Sequence, residues 1–210
     1  MHIKTAYNIW SEQYDTNENK TRDLEAYSLR NILSGMQFDH CLEIGCGTGK
    51  NTEWLASQCN HIVAFDFSDK MLEKAKAKVL SPNVHFIQAD INSDWNFIEG
   101  KYFDLAVCSL VLEHIEYLDC IFEKLNRVIK INGYVYISEL PPFKQYTGSK
   151  AKFETETGTQ TLTCYTHHIS DFLTSAQKHG FELISLNEFF DDNDTKGIPR
   201  ILTLLFKKID

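Results

Sequence analysis

No stretch of this 210-residue chain approaches the ~18–20 consecutive apolar residues that a helix needs to cross a bilayer. The opening "MHIKTAYNIW" has no apolar core of the kind a secretory signal carries, so a cytoplasmic protein is expected. The six cysteines, Cys41, Cys46, Cys59, Cys108, Cys120 and Cys164, include no C-x-x-C pair, and several fall inside apolar runs. That pattern points away from a disulfide framework or a bound metal and toward buried or idle thiols in a reducing compartment. Positive charge is scarce as well. Lys+Arg total 21 against 29 Asp+Glu, and the net charge of −8 repels a phosphate backbone, so nucleic acid is a poor partner. Repeats and low-complexity tracts are absent, and only "LPPFKQYTGSK" and "DDNDTKG" read as linkers. What remains is a chain of ordinary make-up, 43% hydrophobic and 24% charged, long enough for one domain over 1–210.

Glycine is sparse too, ten in all, yet Gly45, Gly47 and Gly49 fall within five positions of "CLEIGCGTGKNT". Such density means that something approaches the backbone more closely than a Cβ would allow. Around the loop, strand-like and helix-like signals alternate. Strands are expected at 41–44, 61–66, 84–88, 103–109 and 133–140, all short and rich in β-branched, aromatic or apolar residues. Ser68 can cap a helix through Met71, Leu72, Ala75 and Val79. Apolar residues from Ile115 to Ile129 follow helical spacing, and "NG" at Asn132–Gly133 is expected to end that helix.

The alternation predicts an α/β fold, a doubly wound parallel sheet with helices on both faces. The tail differs. A helix from Ile169 stops at Gly180, and "FELISLNEFF" and "RILTLLFKK" follow with only an acidic turn between them. So short a link holds no crossover helix, so a seven-stranded sheet with an antiparallel last strand, around 200–208, is expected. At the other end Tyr7, Trp10 and Tyr14 share one helical face, and a second helix around 21–36 leads into the first strand.

Strand, glycine loop and helix together present backbone N–H groups to a ligand. Asp66 ends the next strand about 20 residues on, where a carboxylate can accept bonds from ribose hydroxyls. The pair indicates an adenosine-containing cofactor. A dinucleotide site wants G-x-G-x-x-G, but Gly45-Cys46-Gly47-Thr48-Gly49 is one residue short and carries Glu43 two positions ahead.

At these residues the sequence resembles the class I S-adenosylmethionine-dependent methyltransferases, with their first motif E/D-x-G-x-G-x-G. Glu43, Gly45, Gly47 and Gly49 match it, and the likeness runs from about Tyr7 to the end. The resemblance implies a Rossmann-like fold that takes S-adenosyl-L-methionine and releases S-adenosyl-L-homocysteine. "VAFDFSDKML" resembles the family's second strand, with Asp66 as ribose ligand, Phe67 flanking the adenine and Met71 among the cofactor residues. "FIQADI" resembles the third, Asp90 and Ile91 matching the pair that recognises the adenine. In "CSLVLEHI", Ser109 would lie beside the methionine moiety. "IWSEQYD" resembles the W-x-x-x-Y-D helix of the ubiquinone-biosynthesis-like branch, which closes over the cofactor. Residues 1–36 then form a helical lid, and Tyr14 partners the cofactor carboxylate.

Methyl transfer asks the protein to align a nucleophile, exclude water and, where needed, remove a proton. Candidate bases are Glu113, His114, His167 and His168, with His114 on the rim where substrates bind. The resemblance implies a small-molecule acceptor methylated on oxygen, nitrogen or carbon. The 141–168 segment is read as a substrate-side insertion in which "KFETETGTQTLTCYT" folds as a hairpin over the site. Its Lys144, Lys150 and Lys152 either meet an anionic substrate or solvate the loop. The alternatives are a catalytically inactive relative that only binds cofactor or partner and, on "YTGSK" at 146–150, a short-chain oxidoreductase. Pro141, Pro142 and Gly148 place that motif in a loop rather than the required helix. "LPPF" imitates a motif of nitrogen methyltransferases but follows the fifth strand, not the fourth.

Overall fold

The alternation becomes regular structure in the computed structural model, which describes residues 3–100, 102–149, 152–155, 158–191 and 194–209. Helices α1 (Ile3–Tyr14) and α2 (Lys20–Leu33) precede β1 (Phe38–Ile44), α3 (Lys50–Leu55), β2 (Cys59–Asp66), α4 (Asp69–Lys78) and β3 (Val84–Gln88). The chain continues through β4 (Phe103–Ser109), α5 (Leu118–Val128), β5 (Ile129–Glu139), α6 (Pro142–Tyr146), β6 (Lys152–Thr155) and β7 (Gly158–Thr161). It ends with α7 (Ile169–Lys178), β8 (Phe181–Phe189) and β9 (Ile201–Lys208). Among the described residues seven strands form one sheet in the order β3-β2-β1-β4-β5-β9-β8. Strands β1 to β5 pair in parallel, and β9 runs antiparallel to both β5 and β8. The last strand is thus inserted as its short connection requires.

Alternate strand residues feed two cores, one on each face of the sheet. On one face Leu42, Ile44, Val63 and Phe65 join a cluster with Phe122 and Leu125 of α5 and Phe172 of α7. On the other, Cys41, Ile62, Ala64 and Tyr136 join Leu29 and Leu33 of α2, Leu55 of α3 and Leu72 of α4. Leu29 and Leu33 are fully buried, and truncating either to Ala would cost ~2–5 kcal/mol. Helix α2 therefore belongs to the core layer. In α1, by contrast, only Ala6 and Ser11 are fully buried. The expected cap forms, the Met71 N–H donating to Ser68 Oγ at 3.1 Å. The hairpin β6–β7 forms as the "TGT" pattern predicts.

Two expectations are corrected. Helix α5 ends at Val128, not at Asn132–Gly133, because Ile129 already pairs with Phe103 in the sheet. Asn132 (φ 66) lies inside β5, where the register with β4 shifts. A β-branched residue beside an open strand edge prefers the ladder to another helical turn. Second, the prolines do not keep 141–146 irregular. Pro142 opens α6, since its fixed φ suits a first turn where no N–H donor is needed.

Candidate active site

The parallel strands direct their C-terminal ends to one edge of the sheet, where α/β folds place ligands. There the chain leaves β1 through Gly45 (φ 68), Gly47 (φ 53) and Gly49 (φ 81), all left-handed. A Cβ on Gly45 would lie 2.3 Å from Val111 Cγ2, whereas one on Gly47 would meet nothing within 4 Å. Gly45 is thus small to admit a neighbouring loop, and Gly47 keeps open the space in front of it. Gly49 instead lets the loop pack on Ala75 of α4 and on Val79 just beyond its end.

A cavity of about 420 Å³ opens at this edge. Its walls bring together Tyr14, Gly45, Gly47, Asp66, Phe67, Met71, Asp90, Ile91, Ser109 and His114. An adjoining cavity of about 60 Å³ shares Tyr14, Gly45, Gly47 and Ser109 and adds Glu43. Gly49 lines neither. Arg22, Glu25 and Asn51 line the smaller cavity without having been singled out in the sequence. Glu25 did leave a signal, a carboxylate one helical turn from Leu29 on the face that α2 buries.

Backbone donors fix Asp66. Its Oδ2 accepts from Gly47 N at 2.9 Å and its Oδ1 from Ser68 N at 2.8 Å. Burial pushes its carboxyl up to about 6, against the opposing pull of those bonds. Glu43 accepts from Thr52 Oγ1 at 2.6 Å, and burial raises it to about 8. Glu25 accepts from Ser138 Oγ and from Asn51 Nδ2, each at 2.9 Å, and burial pushes it upward too. The Asn51 Oδ1 atom is buried without a hydrogen-bond partner. Arg22 stacks its guanidinium 4.0 Å from the Tyr14 ring centroid, and burial raises that phenol to about 12.

On the outer side, α1 brings Tyr7 to the cavity, and the segment after the hairpin brings Thr163 and Tyr165. The Tyr7 hydroxyl lies 2.8 Å from His114 Nε2, and His114 Nδ1 lies 3.0 Å from the Thr163 carbonyl oxygen. A carbonyl only accepts, so Nδ1 carries a proton, and in that tautomer the Nε2 lone pair faces the phenol. Tyr7 also packs edge-on against Phe67 and His114, at centroid distances of 5.9 Å and 5.6 Å.

Of the other candidate bases, Glu113 is buried beside the pair, its Oε1 3.9 Å from His114 Nε2, whereas the two later histidines lie elsewhere. His167 Nε2 donates to the carbonyls of Leu112 and Ile115, at 3.1 Å and 2.7 Å, which pins a loop, and the residue lines neither cavity. His168 caps α7 and bonds the Tyr146 hydroxyl. Tyr146 lines neither cavity, and Lys150, the other end of the oxidoreductase-like motif, lies outside the described residues. Lys144 lines neither cavity. A further cluster, Asp39, His40 and Asp104, sits near the opposite end of β1 and β4. There Asp104 is compensated by Lys130 at 2.8 Å and by the His40 N–H at 2.8 Å.

A family model described as a methyltransferase domain matches residues 42–137, spanning the glycine loop, Asp66, Asp90 and Ser109. An uncharacterized methyltransferase of Emericella nidulans is 27% identical over 87% of this chain and 76% of its own length. Residues 42–137 thus form a methyltransferase domain of the S-adenosylmethionine-dependent kind. Its fold agrees with that of an S-adenosylmethionine-dependent methyltransferase from Listeria monocytogenes, at a TM-score of 0.75 and 22% identity, covering 90% of this chain and all of that one (100%). The ubiquinone biosynthesis O-methyltransferase of Nitrosomonas europaea is 27% identical over 52% of this chain, which spans about half (47%) of that relative's length. Among the described residues of this methyltransferase no helix is long and apolar enough to cross a membrane.

Proposed function

We propose that this methyltransferase moves the methyl group of S-adenosylmethionine to a nucleophilic oxygen, nitrogen or carbon of a small-molecule acceptor. The residues present suit such a cofactor. Asp66 is held by two backbone donors beside an open glycine loop, Phe67, Met71 and Ile91 offer flat apolar walls, and Asp90 stands at the rim. At the far end Glu43, Glu25 and the orphan Asn51 oxygen can receive an ammonium group. Tyr14, Arg22 and Ser109 stand ready for the carboxylate beside it. The cofactor supplies a methyl group already activated on a sulfonium, so the chain's own work is placement, exclusion of water and proton removal.

One observation carries the catalytic reading: the Tyr7–His114–Thr163 chain on the same cavity wall as the cofactor residues. For an acceptor with an O–H or N–H, Tyr7 takes that proton as its own passes to His114 Nε2, and Nδ1–H stays anchored to Thr163. The His114 side chain is only 9% exposed, which keeps bulk water from competing for it.

The test is release of S-adenosylhomocysteine from the whole chain with a panel of phenol, alcohol and amine metabolites, alongside calorimetry with S-adenosylhomocysteine and NAD. Binding of the former alone, and turnover with at least one acceptor, is expected. Tyr7→Phe should lower turnover roughly 10²-fold, as for loss of one proton-transfer group. Wild-type turnover in both Tyr7→Phe and His114→Asn would remove the pair from catalysis. Tight cofactor binding without release across the panel would favour the inactive alternative.

A further inference from the structure

Glu139 closes β5 and lines neither cavity, yet it is an ionisable residue only 3% exposed. Its Oε1 accepts from the backbone N–H of Val111 at 2.9 Å and of Leu112 at 2.6 Å. Those groups begin the one-turn 3-10 helix Leu112–His114, whose own residues provide no side-chain cap. The first donors of any helical turn lack an internal acceptor. Here a neighbouring strand supplies one.

The segment so held would not keep its shape unaided. Leu110 has φ 55, a left-handed conformation that a branched side chain adopts only under constraint. Its N–H donates to the Ser138 carbonyl at 2.8 Å, one residue before Glu139. Val111 then fills the space that Gly45 leaves. From the other side, Tyr165 N–H donates to the Glu113 carbonyl at 2.7 Å, and His167 spans two further carbonyls. Residues 110–115 supply Leu110, Val111, His114 and Ile115 to the cavity, with a single turn of helix among them.

We infer that Glu139 is a positioning residue for methyl transfer: it holds 110–115 in the arrangement that sets His114 Nε2 against Tyr7 and Val111 against Gly45. This rests on the reading of Tyr7 and His114 as proton acceptors. Without the carboxylate, two buried N–H groups lose their acceptor, and the strained turn at Leu110 is free to relax.

Hydrogen exchange and imidazole NMR on the whole chain, with S-adenosylhomocysteine as probe, test this independently of turnover. In Glu139→Ala, amides of 110–115 should exchange at least ~10-fold faster, while α5 and β1 keep their wild-type rates. The His114 Nε2 resonance should shift as it does in Tyr7→Phe. Glu139→Gln retains an acceptor oxygen and should restore both signals; Glu139→Asp, a methylene shorter, should not, and serves if the alanine variant fails to fold. Wild-type exchange and resonance in Glu139→Ala or Glu139→Asp would overturn the inference. So would uniform loosening of the whole chain, or a Glu139→Gln variant as perturbed as the alanine one. If the proton-acceptor reading is wrong, Tyr7→Phe and His114→Asn keep their turnover while exchange still responds to Glu139, so the two failures are separable.

Discussion

Gly45 and Gly47 stand two residues apart with similar backbone angles, and the structure predicts opposite consequences for replacing them. Alanine at either position must hold a left-handed conformation, at ~1–2 kcal/mol. At Gly47 that is the whole effect on stability, since the added Cβ meets nothing within 4 Å. At Gly45 the Cβ would sit 2.3 Å from Val111 Cγ2, so Val111 and the strained Leu110 before it must move. Overpacking of that kind adds ~1–3 kcal/mol, for a total of ~2–5 kcal/mol.

Converted to melting temperature for a chain of this length, Gly47→Ala should lower Tm by roughly 2–8 °C and Gly45→Ala by roughly 4–20 °C. Cofactor binding should follow a different order, because the space before Gly47 is the cavity itself. Gly47→Ala should therefore weaken S-adenosylhomocysteine binding far more than its small stability loss suggests. Scanning calorimetry on each variant, with and without S-adenosylhomocysteine, separates the two effects. Equal destabilisation by the two substitutions, or undiminished affinity in Gly47→Ala, would refute the assignment of one glycine to packing and the other to the ligand.

Three further outcomes are expected. Asp66→Ala should weaken S-adenosylhomocysteine binding by ~1.5–3 kcal/mol in calorimetry, through loss of charge-assisted bonds, and unchanged affinity in a folded variant would take Asp66 out of the site. Glu43 and Glu139 are raised to about 8 and Asp66 to about 6, so the folded chain keeps protons that the unfolded chain has released. Stability from these groups is complete below their unfolded values and lost as pH rises through 6 and then 8, which urea unfolding at pH 5 and pH 8 would reveal; equal stability would contradict it. Helix α1, with two buried residues, should gain exchange protection when S-adenosylhomocysteine binds, whereas strong protection in both states would make it ordinary core.

Most of the sheet was legible because its signals are local. The runs ending at Ile44, Asp66, Gln88 and Ser109 each carry their β-branched and aromatic residues within a few positions. The glycine loop declares itself by density alone. What could not be read depends on partners far away in the chain. Whether Ile129 extends a helix or starts a strand is decided by Phe103, already waiting in β4. Glu25 shows in the sequence only as a carboxylate one turn from Leu29; its role emerges when Ser138, 113 positions later, and Asn51 close over it. Tyr7 and His114 are 107 residues apart, so the sequence shows an aromatic stripe and a rim histidine but not their hydrogen bond. Glu139 reads as the polar end of a strand, since its partners are two backbone amides on the next strand's loop.

The buried carboxylates explain one another once the site is seen whole. Glu25, Glu43 and Asp66 each lose hydration by burial, and in each case that loss is the largest influence on the carboxyl. A fold selected for stability alone would place apolar residues there, since burying a charge is costly without a partner. Their partners here are mostly neutral: Asn51, Ser138, Thr52 and backbone amides. Such partners orient a carboxyl group without supplying a counter-charge. The result is a low-dielectric pocket whose fixed groups favour a cation, which a sulfonium cofactor with an ammonium group satisfies on both counts. If Glu25 and Glu43 receive the ammonium group as proposed, the same desolvation that lowers the stability of the protein alone strengthens those contacts, so stability and binding are opposed at these two positions.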